Sequence, residues 1–274
     1  MNKIIKILVF CFYISCSILF MATNAIASAN KTIILTIDDL PFVGSSYHEP
    51  GKLKRENERF SRIMEILLEK NVPAVGFVIS NSIERGQWQL LEDFKKNGFV
   101  LGNHTHSHAN LGQMTADAYL KDVAKADKKL SPLMNNKHKY FRYPYLYESA
   151  GTKHNMVTKG LSNMGYQVVP VTVDSKDFRF NASFLHIPWQ HRSSALPNYR
   201  TRYLNYMWQQ TLLAEKCDHK RGVPSNAPQI LLIHANLINT LLLGDIIDFY
   251  RKHGYEFVSI DNLYLRDRNY YSAK

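Results

Sequence analysis

Two adjacent carboxylates, Asp38 and Asp39, directly follow a short apolar run at residues 33–37. Ionised side chains at the end of a buried strand are costly unless a partner compensates them. Because side chains alternate along a strand, the two carboxylates must point in different directions. A bound cation would satisfy one of them and leave the other free to handle protons. The alternative is that Asp-Asp-Leu-Pro is simply a turn after a strand.

A histidine-rich segment at residues 104–108 supplies further side chains that could bind a metal. His104 and His108 are four residues apart, and on a helical turn this spacing puts both imidazoles on one side. Two imidazoles and one carboxylate, with positions left for water, suit a catalytic zinc ion or a similar divalent metal. At this spacing His106 points elsewhere, and we interpret it as structural or as a contact at the rim. A histidine-rich surface loop is the alternative.

Arg142 and His234 are further candidates because each follows an apolar run. Taken alone, an arginine at such a place is more often one half of a surface ion pair. A lone histidine at the end of an apolar strand is more often a side chain that is satisfied locally. Neither residue therefore indicates catalysis without further support.

The elements that must position these residues are short apolar runs that alternate with amphipathic segments. Residues 60–68 and 88–94 have helical periodicity, Gly98 is placed to end the second helix, and Thr115 could cap the next. Seven strands separated mostly by helices predict a parallel sheet that is closed, or nearly closed, into a barrel. An open doubly wound sheet is the alternative. The predicted strands cover residues 32–37, 74–79, 99–102, 139–143, 166–173, 229–233 and 255–259.

Residues 178–228 break this alternation with a stretch rich in aromatic, basic and proline residues. We interpret them as an insertion between two barrel strands of a single domain at residues 30–274, with a helix within residues 196–217. The aromatic side chains would either form a sugar-stacking wall beside the site or pack as the core of the insertion. They are Trp189, Tyr199, Tyr203, Tyr206 and Trp208.

Residues 1–29 have the layout of a signal peptide, since two lysines precede an apolar stretch and small residues follow it. Cleavage after Ala27 or Ala29 predicts an exported protein, periplasmic or secreted, with no stable membrane span in the mature chain. An uncleaved membrane anchor is the alternative, because the apolar stretch approaches the length of a short span.

The charge and the cysteine content of the mature chain limit the classes of partner and the kinds of bond that can stabilise the fold. The full chain has a formal net charge of +11 at pH 7, and the signal peptide holds two lysines and no acidic residue, so the mature chain has 11 − 2 = +9. Such a basic exported protein would be drawn toward acidic envelope polymers or anionic membrane surfaces. No nucleic-acid-binding motif accompanies this charge, and we expect no nucleic-acid partner. Cys217 is the one cysteine beyond the signal peptide, which leaves no internal disulfide in the mature chain. We expect a monomer.

Five short motifs each follow a predicted strand, at residues 36–39, 104–108, 141–145, 174–178 and 232–234. In this order they resemble the motifs of the NodB-homology polysaccharide deacetylases, carbohydrate esterase family 4. The resemblance implies an α/β fold: the NodB fold, a distorted or incomplete (β/α)7 barrel that is similar to a TIM barrel. Two departures are Phe178, where the family has tryptophan, and Leu40, where it has glycine.

The resemblance implies roles for the residues around a metal. Asp39, His104 and His108 would hold one divalent ion, zinc in the first place, with cobalt and nickel as alternatives. The ion would polarise an acetyl carbonyl and make water more acidic. Asp38 would be the general base, and Arg142 would orient it.

The resemblance also implies an acid, an oxyanion donor and sugar contacts. His234 would protonate the leaving amine, a role typically worth about 10²–10⁴ in rate. Asp174 would orient His234, and Asp177 is the weaker candidate for that role. The backbone N–H of Tyr145 would stabilise the oxyanion. Tyr145 and Phe178 would contact the substrate.

The predicted function is removal of N-acetyl groups from a polysaccharide that contains N-acetylglucosamine, such as peptidoglycan, chitin-like oligomers or poly-N-acetylglucosamine. One alternative is an esterase for O-acetyl polysaccharides, which needs the same metal and base but depends differently on the acid. Another is a non-catalytic envelope protein that binds glycans on the same scaffold. Such a protein would be expected to lack metal ligands, base or acid, and this sequence has all of them.

Overall fold

The computed structural model describes residues 31–41, 50–84, 86–134 and 136–263, so the predicted signal peptide lies outside the described residues. Within these ranges, eight parallel strands form one sheet. Their bounds are β1 Lys31–Leu40, β2 Ala74–Val78, β3 Val100–Asn103, β4 Lys139–Phe141, β5 Tyr166–Val168, β6 Val173–Asp174, β7 Gln229–His234 and β8 Tyr255–Phe257.

Helices connect most of the strands. Two parallel strands need a long connection that returns the chain to the starting end of the sheet, and a helix usually forms it. Thr115 caps α3 as predicted, because its hydroxyl accepts a hydrogen bond from the Ala118 N–H. No helix in the described ranges combines the length and apolarity needed to cross a bilayer. The helices are α1 Pro50–Glu69, α2 Gln87–Lys96, α3 Ala116–Leu130, α4 Gly151–Asn163, α5 Asp177–Leu185, α6 Trp189–Lys220 and α7 Leu237–Lys252.

The sheet is curled into the distorted barrel that the sequence predicts, with strand order β5-β4-β3-β2-β1-β7-β6 and β8 beside the start of β1. The predicted strand at residues 166–173 is in fact two strands, β5 and β6, which pair with opposite edges of the sheet. Pro170 lies between them and has no N–H to donate to a strand ladder. On either side, Val169 N–H donates to Phe141 O at 2.8 Å, and Thr172 N–H donates to Ile230 O at 3.1 Å. One continuous segment thus spans the gap between the two edges.

Side-chain alternation along β1 separates two apolar clusters. Ile33, Leu35 and Ile37 face the helices and belong to the larger cluster. Ile34 faces the barrel interior and packs with a smaller cluster. The same alternation sends the side chain of Asp38 into the interior, where it is buried.

Residues 178–228 lie mostly within helices α5 and α6, which connect β6 to β7. The helix predicted at residues 196–217 is longer than expected and runs from Trp189 to Lys220. Three of the five aromatic side chains pack against Phe180 or Phe184 of α5 within this connection, namely Tyr199, Tyr203 and Tyr206. Trp208 packs instead against Phe249 of α7, and Trp189 is exposed. The connection is therefore not built mainly as an aromatic wall.

Candidate active site

The polar residues singled out in the sequence lie where β1, β3, β4, β6 and β7 end. Parallel strands bring their carboxyl ends to one rim of a barrel, which is where barrel enzymes have their active sites. The register pairs Asp38 directly with His234 across β1 and β7. Residues far apart in the chain thus share one rim.

Asp39, His104 and His108 come together as the sequence predicts. Asp39 Oδ1 lies 3.3 Å from Nε2 of His104 and 3.2 Å from Nε2 of His108. The three candidate ligand atoms lie within 4.8 Å of one another, and no other such cluster occurs in the part of the chain that the structure describes.

The donor set fits a divalent cation. His104 Nδ1 lies 2.9 Å from the Arg142 carbonyl oxygen, which can only accept, so Nδ1 carries a proton and Nε2 is the nitrogen left to face a metal. Asp39 Oδ1 is buried and has no hydrogen-bond partner. A buried carboxylate oxygen that faces two imidazole nitrogens at 3.2–3.3 Å is stabilised by positive charge between them, and a divalent cation bound by all three atoms would supply it.

The electrostatics of Asp39 agree with this reading. Burial acts to raise the pKa of its carboxyl, but the facing imidazoles of His104 and His108 outweigh burial and hold that pKa well below its usual range. The side chain is therefore ionised, as a metal ligand must be.

The histidine segment converges by a different backbone route from the predicted helical turn. Residues 104–108 are not helical, and Thr105 and His108 have left-handed φ values of 68° and 57°. Asn103 Oδ1 accepts from the Thr105 N–H at 2.7 Å and holds the turn. His106 is not part of the cluster, because its Nδ1 contacts Ser80 Oγ at 2.8 Å.

Left-handed non-glycine residues gather at this rim. Asp39 (φ 61°), Tyr145 (φ 59°) and Lys176 (φ 49°) join the two residues of the histidine turn. Such conformations cost of the order of 1–3 kcal/mol each, and they cluster where a site needs a fixed geometry. The backbone is strained at the places where the candidate side chains are aimed.

Arg142 is a buried partner of Asp38, not one half of a surface ion pair. Its side chain is 1% exposed, and its Nη1 donates to Asp38 Oδ1 at 2.9 Å and to Thr36 Oγ1 at 2.8 Å. Nε and Nη2 donate to the carbonyl oxygens of Val169 and Pro170, both at 3.1 Å. Every nitrogen of the guanidinium thus has a partner, so the Asp38 carboxylate is fixed by a rigid fork.

Asp38 keeps one oxygen directed at the candidate metal cluster. Its Oδ2 lies 3.9 Å from His104 Nε2, too far for a direct hydrogen bond but near enough for a shared water molecule. One of the two adjacent carboxylates therefore belongs to the cluster, while the other is held beside it.

His234 is the second titratable group at the rim. Its Nε2 lies 3.7 Å from Asp39 Oδ2, and its Nδ1 lies 2.7 Å from Asp177 Oδ1. Burial acts to lower the pKa of His234, but the charge and the hydrogen bond of Asp177 outweigh it and raise that pKa to about 10. The imidazole is therefore held in the protonated form near neutral pH.

The prediction that Asp174 orients His234 is wrong, because Asp177 occupies that position. Asp174 ends β6 and closes a local turn: its Oδ1 accepts from the Lys176 N–H at 2.9 Å, and its Oδ2 pairs with Lys176 Nζ at 2.6 Å. The left-handed Lys176 then reverses the chain, so that Asp177 begins α5 facing His234.

Asp177 is held in part by two asparagines that the sequence did not indicate, Asn236 and Asn239. Its Oδ2 accepts hydrogen bonds from the His234 N–H, Asn236 Nδ2 and Asn239 Nδ2. Asn236 also caps α7, since its side chain accepts from the Asn239 N–H. An asparagine just before a helical pattern is a known cap signal, and it could have drawn attention to Asn236.

Tyr145 and Phe178 border the site as exposed aromatic residues. Tyr145 is 62% exposed, and the centroid of its ring lies 4.6 Å from that of His108. Phe178 is 47% exposed in the first turn of α5, next to Asp177. Exposed rings beside a polar cluster are suited to stacking against an apolar sugar face.

The chain is similar in sequence to polysaccharide deacetylases. A family model described as polysaccharide deacetylase matches residues 26–169. A peptidoglycan-N-acetylmuramic acid deacetylase of Bacillus subtilis is 25% identical over 236 residues, covering 85% of this chain and 71% of the relative. A chitin deacetylase of Arthroderma benhamiae is 26% identical over 156 residues, which is 55% of this chain and 36% of the relative. The chain thus spans about a third of the length of that relative.

Solved structures share the fold at low sequence identity. A chitin deacetylase from the fungus Colletotrichum lindemuthianum has a TM-score of 0.57 and 20% identity, covering 85% of this chain and 86% of that chain. A CE4 family pseudoenzyme from Bacillus anthracis has a TM-score of 0.59 and 19% identity, covering 85% and 65%. Since proteins described as an enzyme and as a pseudoenzyme share this fold, function must be argued from the site residues.

Proposed function

Because this chain belongs to the polysaccharide deacetylase family, we propose that it hydrolyses N-acetyl groups on a polysaccharide that contains N-acetylglucosamine. Peptidoglycan, chitin-like oligomers and poly-N-acetylglucosamine are the candidate substrates. The observation that carries the proposal is one rim that holds an Asp-His-His cluster, an Asp–Arg pair and an Asp–His pair.

Asp39, His104 and His108 would hold one divalent cation, for which we take zinc first and cobalt or nickel as alternatives. Such an ion supplies Lewis acidity toward a carbonyl oxygen and toward water when it is bound. The chain contributes the lone pairs, a fixed His104 tautomer and a carboxylate that is already ionised.

Asp38 acts as the general base in this proposal. Its Oδ2 would take a proton from the water molecule whose oxygen forms the new bond to the acetyl carbon. Arg142 keeps the base in one orientation through the 2.9 Å bond to Oδ1. The buried guanidinium also offsets the cost of burying that carboxylate.

His234 acts as the general acid. The C–N bond of the amide breaks, and the proton on His234 Nε2 moves to the departing nitrogen, which leaves a free amine and acetate. Asp177 holds Nδ1 and keeps the imidazole protonated until that transfer. The backbone N–H of Tyr145 is our candidate donor to the oxyanion, a contribution of about 3–4 kcal/mol in comparable sites.

The Asp177–His234 pair favours amide over ester hydrolysis. An amine is a poor leaving group until it is protonated, whereas an alkoxide depends less on an acid. The pair, the base and the cluster also argue against a silent glycan-binding protein, because a binding protein gains nothing from a partly buried histidine whose pKa is raised.

Mass spectrometry of candidate glycans after incubation with zinc-loaded protein tests the proposal. Each turnover should lower the mass by the difference between an acetyl group and a hydrogen atom, and an N-acetylated oligosaccharide should react faster than an O-acetylated one. D38N and H234N serve as controls that leave the metal ligands in place. A fully metal-loaded wild-type protein that binds the N-acetylated glycans without converting them would overturn the proposal.

We also propose that the protein acts outside the cytoplasm after removal of residues 1–29. This proposal is supported by the sequence of that segment, in which two lysines are followed by an apolar stretch and then by small residues. Cell fractionation with N-terminal sequencing should find the mature chain beginning at Ser28 or Asn30. A full-length chain confined to the cytoplasm would contradict export.

A further inference from the structure

Helix α6 contributes a buried polar side chain to the network behind His234. Tyr203 is fully buried, and its hydroxyl donates to Asn239 Oδ1 at 2.9 Å. Asn239 is also fully buried, in the first turn of α7. A buried hydroxyl between two helices would ordinarily be only structural, but the other partners of Asn239 give this one a further consequence.

Every polar atom of the Asn239 side chain is used. Its Nδ2 donates one hydrogen to Asp177 Oδ2 and the other to the His234 carbonyl oxygen. Its Oδ1 is the acceptor for Tyr203. If the amide were reversed, its oxygen would face the Asp177 carboxylate and two acceptors would meet without a proton between them.

The hydroxyl of Tyr203 holds the other end of the Asn239 amide, by donating to its oxygen. Burial, followed by the charge of Asp177, raises the pKa of Tyr203 well above its usual range, so the hydroxyl stays protonated and able to donate. Its bond to the Asn239 oxygen therefore acts together with the two acceptors on the opposite side, Asp177 and the His234 carbonyl, to keep the oxygen toward α6 and the NH₂ group toward Asp177.

We propose that Tyr203 is a positioning residue for the general acid: its hydroxyl fixes the Asn239 amide in the orientation that holds Asp177, and thereby His234, in place. This inference rests on the proposed function of His234. It also gives helix α6, part of the segment first interpreted as an insertion, a role in the chemistry of the rim.

The test compares substrates whose leaving groups differ in their need for a proton. For Y203F loaded with zinc, kcat on an N-acetylated chito-oligosaccharide should fall about tenfold, the order expected for one buried hydrogen bond. On an aryl acetate ester, whose phenolate leaves without an acid, kcat should change little. KM and bound zinc should stay at wild-type levels, because Asn239, Asp177 and His234 lie between Tyr203 and the metal ligand Asp39. N239A should show the same selectivity with a larger loss.

Y250F is the matched control. The hydroxyl groups of Thr211 on α6 and Tyr250 on α7 form another buried hydrogen bond between the same two helices, at 2.8 Å. Removing the Tyr250 hydroxyl should lower the unfolding temperature much as Y203F does, without a loss specific to the amide. Equal losses on amide and ester for Y203F, or an amide loss no larger than for Y250F, would overturn the proposal.

A second readout needs no turnover. The Nδ1 proton of His234, bonded to Asp177, should give a downfield proton NMR resonance, which Y203F should shift or broaden and Y250F should leave unchanged. An unchanged resonance in Y203F would refute the positioning role. Absence of turnover by the wild-type protein, with the resonance responding as expected, would refute the proposed function instead.

Discussion

Replacing Asp177 by asparagine should move the alkaline limb of the activity profile to lower pH. In the native site the pKa of His234 is raised to about 10, because the charge and hydrogen bond of Asp177 outweigh the effect of burial. The substitution removes the negative charge 2.7 Å from His234 Nδ1 and leaves an atom of the same size. The acid must be protonated to act, so a lower pKa removes activity from the alkaline side.

The size of the effect follows from the lost charge. An opposite charge in contact changes a pKa by about 1–3 units, and each unit is worth about 1.4 kcal/mol. A fall of about two units would leave roughly a tenth of the His234 side chains protonated near pH 9, and almost all of them near pH 6. We therefore expect kcat/KM of D177N to be about tenfold lower near pH 9 and much closer to wild type near pH 6.

The assay is release of acetate from an N-acetylated oligosaccharide across the pH range, with thermal unfolding measured alongside. D174N is the matched control, because Asp174 ends the neighbouring strand but pairs with Lys176. Its alkaline limb should coincide with that of the wild type. An unmoved limb in D177N, or a moved limb in D174N, would refute the assignment of Asp177 as the partner of His234.

Two further predictions concern the base and the substrate. Arg142→Met should leave the Asp38 carboxylate buried without its partner. The free energy of unfolding, measured by denaturant titration, should therefore fall by about 3–5 kcal/mol, and activity should be lost. An unchanged stability would contradict the buried ion pair. Phe178→Ala should raise KM for a glycan severalfold and change kcat little, because the ring is 47% exposed and is not one of the reacting groups. Steady-state kinetics measure both constants, and an effect on kcat alone would contradict the role of Phe178 as a sugar contact.

The sequence was sufficient to predict the barrel and the rim. Apolar runs ending in Asp38-Asp39, Asn103-His104 and His234 predict strand ends, and strand ends of a parallel barrel meet at one face. The register of Asp38 with His234 is a direct result of that geometry. The spacing of residues in the sequence could not predict where the backbone changes direction. Residues 166–173 alternate like one strand, yet they pair with two different edges.

The errors at the site have the same origin. Asp174 and Asp177 are both plausible partners of His234 in the sequence, and the choice is made by the left-handed turn at Lys176. His104 and His108 converge through left-handed residues, whereas spacing predicted a helical turn. The bond from Tyr203 to Asn239 joins residues 36 positions apart on different helices, and no local pattern indicates it.

Calorimetric titration of zinc into metal-free protein tests the central claim most directly, because every step at the rim assumes a cation held by Asp39, His104 and His108. We predict one tightly bound ion per chain in the wild type and in H106A, because His106 lies on the same segment as the two histidine ligands but contacts Ser80 instead. In H104A and H108A the affinity should fall by about two orders of magnitude or more, since each change removes a direct ligand. A wild-type chain that binds no zinc, or variants at these two histidines that bind it as tightly as H106A, would contradict the account.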